Sequence, residues 1–382
     1  MEKILKTRLN NLFLDNKAAQ FAVQNEGLPE AQDVAQQQNE NNQRQLLDVE
    51  KQALREKRLN DKAEQSLVRT IDQQLNVEIE KRIEERLEDI EHIYSKIIGI
   101  DKALPNLLDT IGVRAATISK IEPVATEIPW FYNDLMKLIN QPKYKRLDNK
   151  GNVILVDNLR VGLSFFGIEN LIQIVTSLSF RRWLPQITDP YPKIKTRIWE
   201  EALATALCCK QLASFSKVEP NHAFCLGMFQ LIGKVVIVRN FFRIFDEVQR
   251  EAIIEAEKYA KHDAHRALSS ISPNGDFLNT LIEKHAFNIS TQLINKMDLK
   301  RVFIGNAMQE INQDLAYEQL SPMAKVLKQG SAYAKYRILK QHKLIDLAQA
   351  KDFVRTMNLP KGSLEILQKT DIRSLQLSTS ET

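Results

Sequence analysis

Between Glu30 and Ile98 the chain contains neither glycine nor proline. These residues are the strongest breakers of regular structure, so one helix of about 100 Å could run the whole way at 1.5 Å per residue. They are scarce elsewhere too, with 12 of each in 382 residues. A chain with so few turn-formers and no set of alternating strands reads as all-α. Within the stretch, Leu59, Ala63, Leu67, Ile71, Leu75, Val77, Ile79, Ile83, Leu87 and Ile90 fall mostly four apart. A left-handed coiled coil alternates steps of three and four. Steps of four drift about 40° each time around the helix. That suits a helix curling over its own globular body, or a right-handed pairing, better than a long straight dimer seam. Homodimerisation is the second reading. The run "AQQQNENNQRQ" is polar enough to fray, and 29–45 is expected to be flexible on that ground.

Residues 1–26 read as one amphipathic helix, with Leu5, Leu9, Leu12, Phe13 and Phe21 mostly on one side, ended by "GLP" at 27–29. From 99 to 310, apolar helical runs alternate with short breaks, and "NVILVD" at 152–157 is the one candidate extended piece. Further helical runs follow Glu310, then a polar tail, "STSET". The expected organisation is a 1–97 helical extension, a 98–310 helical domain, and a 311–382 C-terminal helical segment with a disordered tail. Hydrophobic residues make up 43%, enough for a sizeable core. The net charge of +5 is too mild to argue for nucleic acid by itself. Three cysteines, Cys208, Cys209 and Cys225, lie in apolar helical runs and point to buried, reduced thiols and a cytoplasmic location. No apolar run approaches the ~20 residues of a membrane span, and the N-terminus lacks the continuous apolar core of a secretion signal.

Several motifs are absent. There is no Gly-rich phosphate loop of the P-loop or dinucleotide type, and no cysteine pair at zinc-finger spacing. His262 and His265 flank Asp263 in "KHDAHRAL", but the run is so charged that surface histidines are expected rather than a metal site. "DNLRVGLSFFGIENLIQIVTSL" at 157–178 has the outline of a helix-turn-helix, with Asp157 as N-cap and Gly167 at the turn. Its second helix offers Leu171, Ile172, Ile174 and Val175 where a DNA reader needs polar side chains, so it reads as a core helix pair. Residues 78–91 carry seven acids against three bases, whereas 319–345 carry bases, among them Lys335, Arg337 and Lys340, with Tyr333 and Tyr336 between them and no acid. That basic stretch is a candidate interaction patch. A solvated face, pairing with an acidic helix such as 78–91, and nucleic-acid stacking are the readings in descending order, and nucleic acid is not expected.

Four blocks, taken in order, resemble one family. They are "ALPNLLDTI"; "IPWFYNDLMKLINQP", with Pro129, Leu138, Asn140 and Pro142; "GLSFFGIENLIQIV", with Gly167 and Leu171; and "IWEEALATALCCKQLA" followed by "AFCLGMFQLIGKVVI". Together they are similar to the HDOD domain, a helical relative of the HD phosphohydrolases of bacterial signalling proteins, over roughly 100–300. Ile128 departs from the Asp that opens the second block. The resemblance implies an all-α HD-like domain; the flanks, 1–97 and 310–382, lie outside it, and their own pattern adds a long N-terminal helical extension and C-terminal helices. It places Glu201 where a phosphohydrolase has its first His, and Gln230 and Leu231 at the adjacent His–Asp pair, with Gly233 and Lys234 following.

Leu231 cannot ligate a metal, Gln230 is a neutral and poor ligand, and Glu201 alone would hold a divalent ion weakly. No metal and no cofactor are expected. Gly233 is expected to serve close helix packing or a cap, and Lys234 the dipole end of its helix. The resulting expectation is a protein that is not an enzyme: a signal-transduction scaffold or regulatory module acting through protein contacts, with signalling kinases or response regulators as candidate partners and no membrane. Two alternatives stand beside it. One is a nucleotide or small-anion sensor using the pocket of Glu201, Gln230 and Lys234; the other is a residual phosphohydrolase.

Overall fold

The four-residue stripe governs how the first long helix is placed. The structure, a computed structural model, describes residues 2–24, 48–113, 115–144, 146–147, 153–154, 156–375 and 377. The polar stretch at 29–45 and the "STSET" tail lie outside the described residues. Helix α3 (Asp48–Glu88) buries Leu75, Ile79, Ile83 and Leu87, so the drifting stripe wraps over the body. Its charged flanks are pinned at the same time. Arg82 forks onto Glu251 at 3.1 and 2.6 Å, Arg86 meets Glu247, and Lys284 reaches Glu80 at 2.8 Å and Glu84 at 2.6 Å. Glu80 and Glu84 thus find their base on the body, at Lys284, while Glu78 pairs with Arg82 of its own helix, and among the described residues no ion pair joins 78–91 to the basic stretch at 319–345. Upstream of Val68, which still packs against the body, the contact ends: Leu59 is 61% and Leu67 36% exposed.

Two breaks occur without glycine or proline. The N-terminal segment is two helices, α1 (Glu2–Leu14) and α2 (Asn16–Gln24), separated at Asp15, and not the single helix expected. The long helix stops at Glu88 because the Asp89 side chain accepts a hydrogen bond from the His92 N–H (2.9 Å) and starts a new turn, α4 (Ile90–His92). This runs into a π-helical stretch, Ile93–Ile98, closed by Gly99 at φ +70°. Polar side chains can cap as effectively as glycine can break, so neither site is marked by a breaker residue in the sequence.

The chain continues as α5 (Ala103–Ile111), α6 (Ile118–Thr126), α7 (Phe131–Ile139), α8 (Leu159–Phe166), α9 (Ile168–Trp183), α10 (Ile194–Ala213), α11 (Pro220–Phe229), α12 (Ile232–Lys258), α13 (His262–Ser270) and α14 (Gly275–Met297). After it come α15 (Gly305–Asn312), α16 (Pro322–Gln341), α17 (Leu347–Arg355) and α18 (Ser363–Lys369). Between α7 and α8 a two-residue ladder pairs β1 (Arg146–Leu147) with β2 (Val153–Ile154), at the candidate extended piece. Asn140 has a structural task there: its side-chain amide donates to the Val156 carbonyl (3.1 Å) and accepts from the Val156 N–H (3.3 Å), holding the loop as a strand neighbour would. Pro129 is exposed in the turn that leads into α7. Gly167, at φ +72°, joins α8 to α9 through a 109° bend. Asn158 caps α8, accepting from the Arg160 N–H, so the cap lies one residue past Asp157.

The centre is α10 against α11 and α16, beside α12 against α14. Close approach is bought with small residues. A Cβ on Gly330 would lie 2.4 Å from Cys209 Sγ, and one on Gly233 only 1.8 Å from the Ala286 carbonyl oxygen. The three cysteines are buried here, and burial pushes the Cys208 and Cys225 thiols up to about 12. Pro220–Lys258 is apolar and long enough to cross a membrane, but 89% of its most apolar window is buried inside the protein, as befits core helices.

Gly233→Ala should lower stability by at least about 1–3 kcal/mol through overpacking, and Ile83→Ala by about 2–5 kcal/mol through the cavity it leaves. Leu59→Ala should be nearly neutral because its side chain is already in water. Urea unfolding of the three variants checks the order.

Candidate functional site

The resemblance positions converge on one cavity. Glu201 projects from α10, Gln230 and Leu231 lie in the turn between α11 and α12, and Lys234 sits in the first turn of α12. They share the lining of a cavity of about 270 Å³ with Glu283 and Phe287 of α14 and Lys335 of α16. Its cover is α1, which contributes Lys6, Leu9, Asn10, Leu12 and Phe13. The turn is stitched from beneath. The Gly233 N–H donates to Ser290 Oγ (2.8 Å), whose hydroxyl donates to the Gln230 carbonyl (2.7 Å). A Cβ on Gly233 would meet the Ala286 carbonyl oxygen, so the backbones of α12 and α14 approach closely at this point.

Lys234 does not serve a helix C-terminus. It lies at the N-terminal, positive end of α12, where the macrodipole disfavours a cation. Its partner is Glu201, at Nζ–Oε2 2.6 Å, with side chains 15% and 17% exposed. The Phe13 ring covers the ammonium at 4.6 Å from its centroid, a cation–π contact. Burial pushes the Glu201 carboxyl up, but the charges of Lys234 and Lys335 and the Lys234 hydrogen bond outweigh it and hold the group below its ordinary value. The carboxylate is ionised at neutral pH and already engaged.

At the cavity edge, Glu283 accepts from Lys6 (2.8 Å) and Asn10 (2.9 Å). Arg197, itself buried, engages Glu200, Asn16 and His342. Each acid of the cavity thus has a base beside it, and Lys335 adds one further positive charge felt by both Glu201 and Glu283. An HD-type metal does not fit this donor set. Leu231 has no donor atom, Gln230 is neutral, and Glu201 is held by Lys234. Among the described residues no three His, Cys, Asp or Glu side chains gather to hold a metal ion. His262 is exposed, and His265 lies 3.1 Å from Glu257 at the surface.

The basic stretch is divided. Lys335 faces the cavity, whereas Arg337 turns the other way and donates to the carbonyls of Leu367 (2.6 Å) and Thr370 (3.2 Å) at the end of α18. Lys340 stands 5.9 Å over the Tyr336 ring. Tyr333 and Tyr336 are buried and offer no stacking platform for bases. Sequence reasoning missed the cavity residues of α1, together with Arg197 and Glu283. The apolar pattern of α1 was visible, but a local pattern carries no information about where a helix docks.

The fold is that of a helical domain. Residues 114–274 match the HDOD domain family, so the chain carries an HDOD domain. Among solved structures, it is similar to a "Putative phosphohydrolase" from Shewanella amazonensis SB2B at 18% identity and TM-score 0.46, covering 74% of this chain and 94% of that one. A "Putative metal-dependent phosphohydrolase" from the same organism is similar at 10% identity and TM-score 0.44, covering 77% and 94%. The MmoQ response regulator from Methylococcus capsulatus is similar at 17% identity and TM-score 0.29, covering 71% and 97%. No curated protein sequence matches the chain. The two phosphohydrolase names overturn one expectation from sequence, that the chain is not an enzyme. The departures at Glu201, Gln230 and Leu231 bear on a single metal chemistry and were too narrow a basis for that exclusion.

Two outcomes follow. Lys234→Met should cost about 3–5 kcal/mol by stranding a buried carboxylate, and adding Glu201→Leu should recover most of it. Because the Glu201 carboxyl is depressed in the folded state, its contribution is present above the ordinary Glu value of about 4.3 and fades as pH falls through the lower folded value. The stability gap between wild type and Glu201→Gln should therefore be flat above about pH 5 and narrow as pH falls below the ordinary Glu value, as read from denaturant midpoints. In addition, fluorescence anisotropy should show nucleic-acid binding no tighter than ~10⁻⁴–10⁻⁶ M at physiological salt.

Proposed function

We propose that the protein is a regulatory module of a signalling pathway that works through protein–protein contacts in the cytoplasm, with the outer part of α3 as its docking arm. The reading is carried by the exposure of that arm. Upstream of Ile71, α3 continues as helix for roughly 30 Å at 1.5 Å per residue, and from Arg55 to Leu67 every side chain is exposed. Leu59, Ala63 and Leu67 form a short apolar line along it, flanked by charged residues of both signs. Helices draw most of their stability from packing an apolar face, and an exposed line of this kind suits a partner helix or groove. The HDOD assignment supports a signalling role, and the opposite end of α3, bonded to α12 and α14 through Arg82, Arg86 and Lys284, gives the arm a firm connection to the domain.

A photocrosslinking residue at position 63, in the native host, should yield one discrete adduct with another protein, reduced at least tenfold by Leu59→Glu/Leu67→Glu with no change in melting temperature. Adducts only with itself, or none at equal expression, would overturn the docking-arm reading.

A further inference from the structure

The cavity beneath α1 is closed by a helix of this chain's own, and few interactions hold it. Leu5, Leu12 and Phe13 are buried on one face of α1. Lys6 and Asn10 reach the carboxylate of Glu283 on α14. The buried Arg8 donates to the Leu344 carbonyl (2.5 Å) and to Gln349 Oε1 (2.8 Å), at the start of α17. Phe13 closes over Lys234. The groove walls come from α10, α14 and α16; of the acids that line it, Glu200 is held by Arg197 and Glu201 by Lys234, which leaves Glu283 at the rim to take a base from the helix that fills the groove. The groove is thus fitted to a helix with apolar residues at i, i+7 and i+8, and bases at i+1 and i+3.

We propose that this groove is a receptor for a basic amphipathic helix of a partner protein, and that α1 is the built-in competitor that fills it in the free protein. The argument rests on complementarity. The groove seats a helix of that chemistry already, its rim acid Glu283 takes a base, and the Leu344 carbonyl and Gln349 take an arginine. A tethered helix works at an effective concentration of about millimolar, so a partner must outcompete α1 to enter. That requirement would make the site a switch, because entry frees α1 and releases its hold on Leu344 and Gln349. The inference builds on the protein-contact reading but uses a different surface from the α3 arm, so either can fail without the other.

The test uses the full chain and a labelled peptide of residues 1–24, read by anisotropy. Lys6→Glu places a second acid beside Glu283 at an exposed position, and should loosen α1 with the fold intact; Phe13→Ala is the second loosening variant. The peptide should bind the Lys6→Glu chain at least tenfold more tightly than wild type. A peptide carrying Lys6→Glu should fail on that chain and bind a Lys6→Ala/Glu283→Lys chain instead. Equal binding to loosened and wild-type chains places the peptide elsewhere and overturns the proposal. Failure to bind either loosened variant, with circular dichroism showing both folded and proteolysis showing α1 released, also overturns it. Dimerisation of the loosened chain in place of peptide uptake, seen by sedimentation, overturns it in favour of a second copy.

Discussion

The cavity is organised by a single buried ion pair. A carboxylate taken out of water without a partner would cost several kcal/mol or would neutralise. Glu201 stays charged because Lys234 reaches it at 2.6 Å. That pairing explains a lysine in the first turn of α12, where the helix dipole alone would reject it. It also requires cover, because an ion pair gains from a dry surrounding only when water is kept away. Phe13 supplies part of that cover from α1. The pair, the ring above it and the Gly233–Ser290–Gln230 stitch below it form one unit in which a change at any level is felt at the others.

Around this unit the chain separates firm from lightly held parts. The firm part is α10, α11, α12, α14 and α16, brought together at Gly233 and Gly330, where no side chain would fit. The inner half of α3 belongs with it through Ile79 and Ile83, both fully buried. The lightly held parts are α1, attached by one apolar face and a few polar bonds, and the outer half of α3. Sub-global opening draws on elements of this kind, and so do surfaces that exchange partners.

Much of the fold could be read from periodicity. The four-residue stripe from Leu75 to Leu87, the turn at Gly167 and the short extended piece near Val153 each follow from local pattern. The breaks at Asp15 and Asp89 did not, because a polar side chain turned the chain there and neither residue is a breaker. In the site, Glu201, Gln230, Leu231 and Lys234 were legible from the motif blocks as a group. Their chemistry was not, since the 2.6 Å pairing joins residues 33 apart in sequence. Nor was the cover, since α1 reaches the cavity from the far end of the chain. The basic stretch was misleading for a related reason: helical geometry sends Lys335 to one side of α16 and Arg337 to the other, so adjacent charges in sequence do not share a surface.

The most direct measurement on this account is native-state hydrogen exchange of the full chain. The cleft is held to be closed by an α1 that can leave it. Amides of α1 should therefore be protected, but should open with a free energy well below that of α10 and α11, in a step that also exposes the α14 segment around Glu283. Protection of α1 equal to that of α10 and α11 would make it a fixed part of the core. No protection at all would mean that the cleft stands open. Either result would contradict the account.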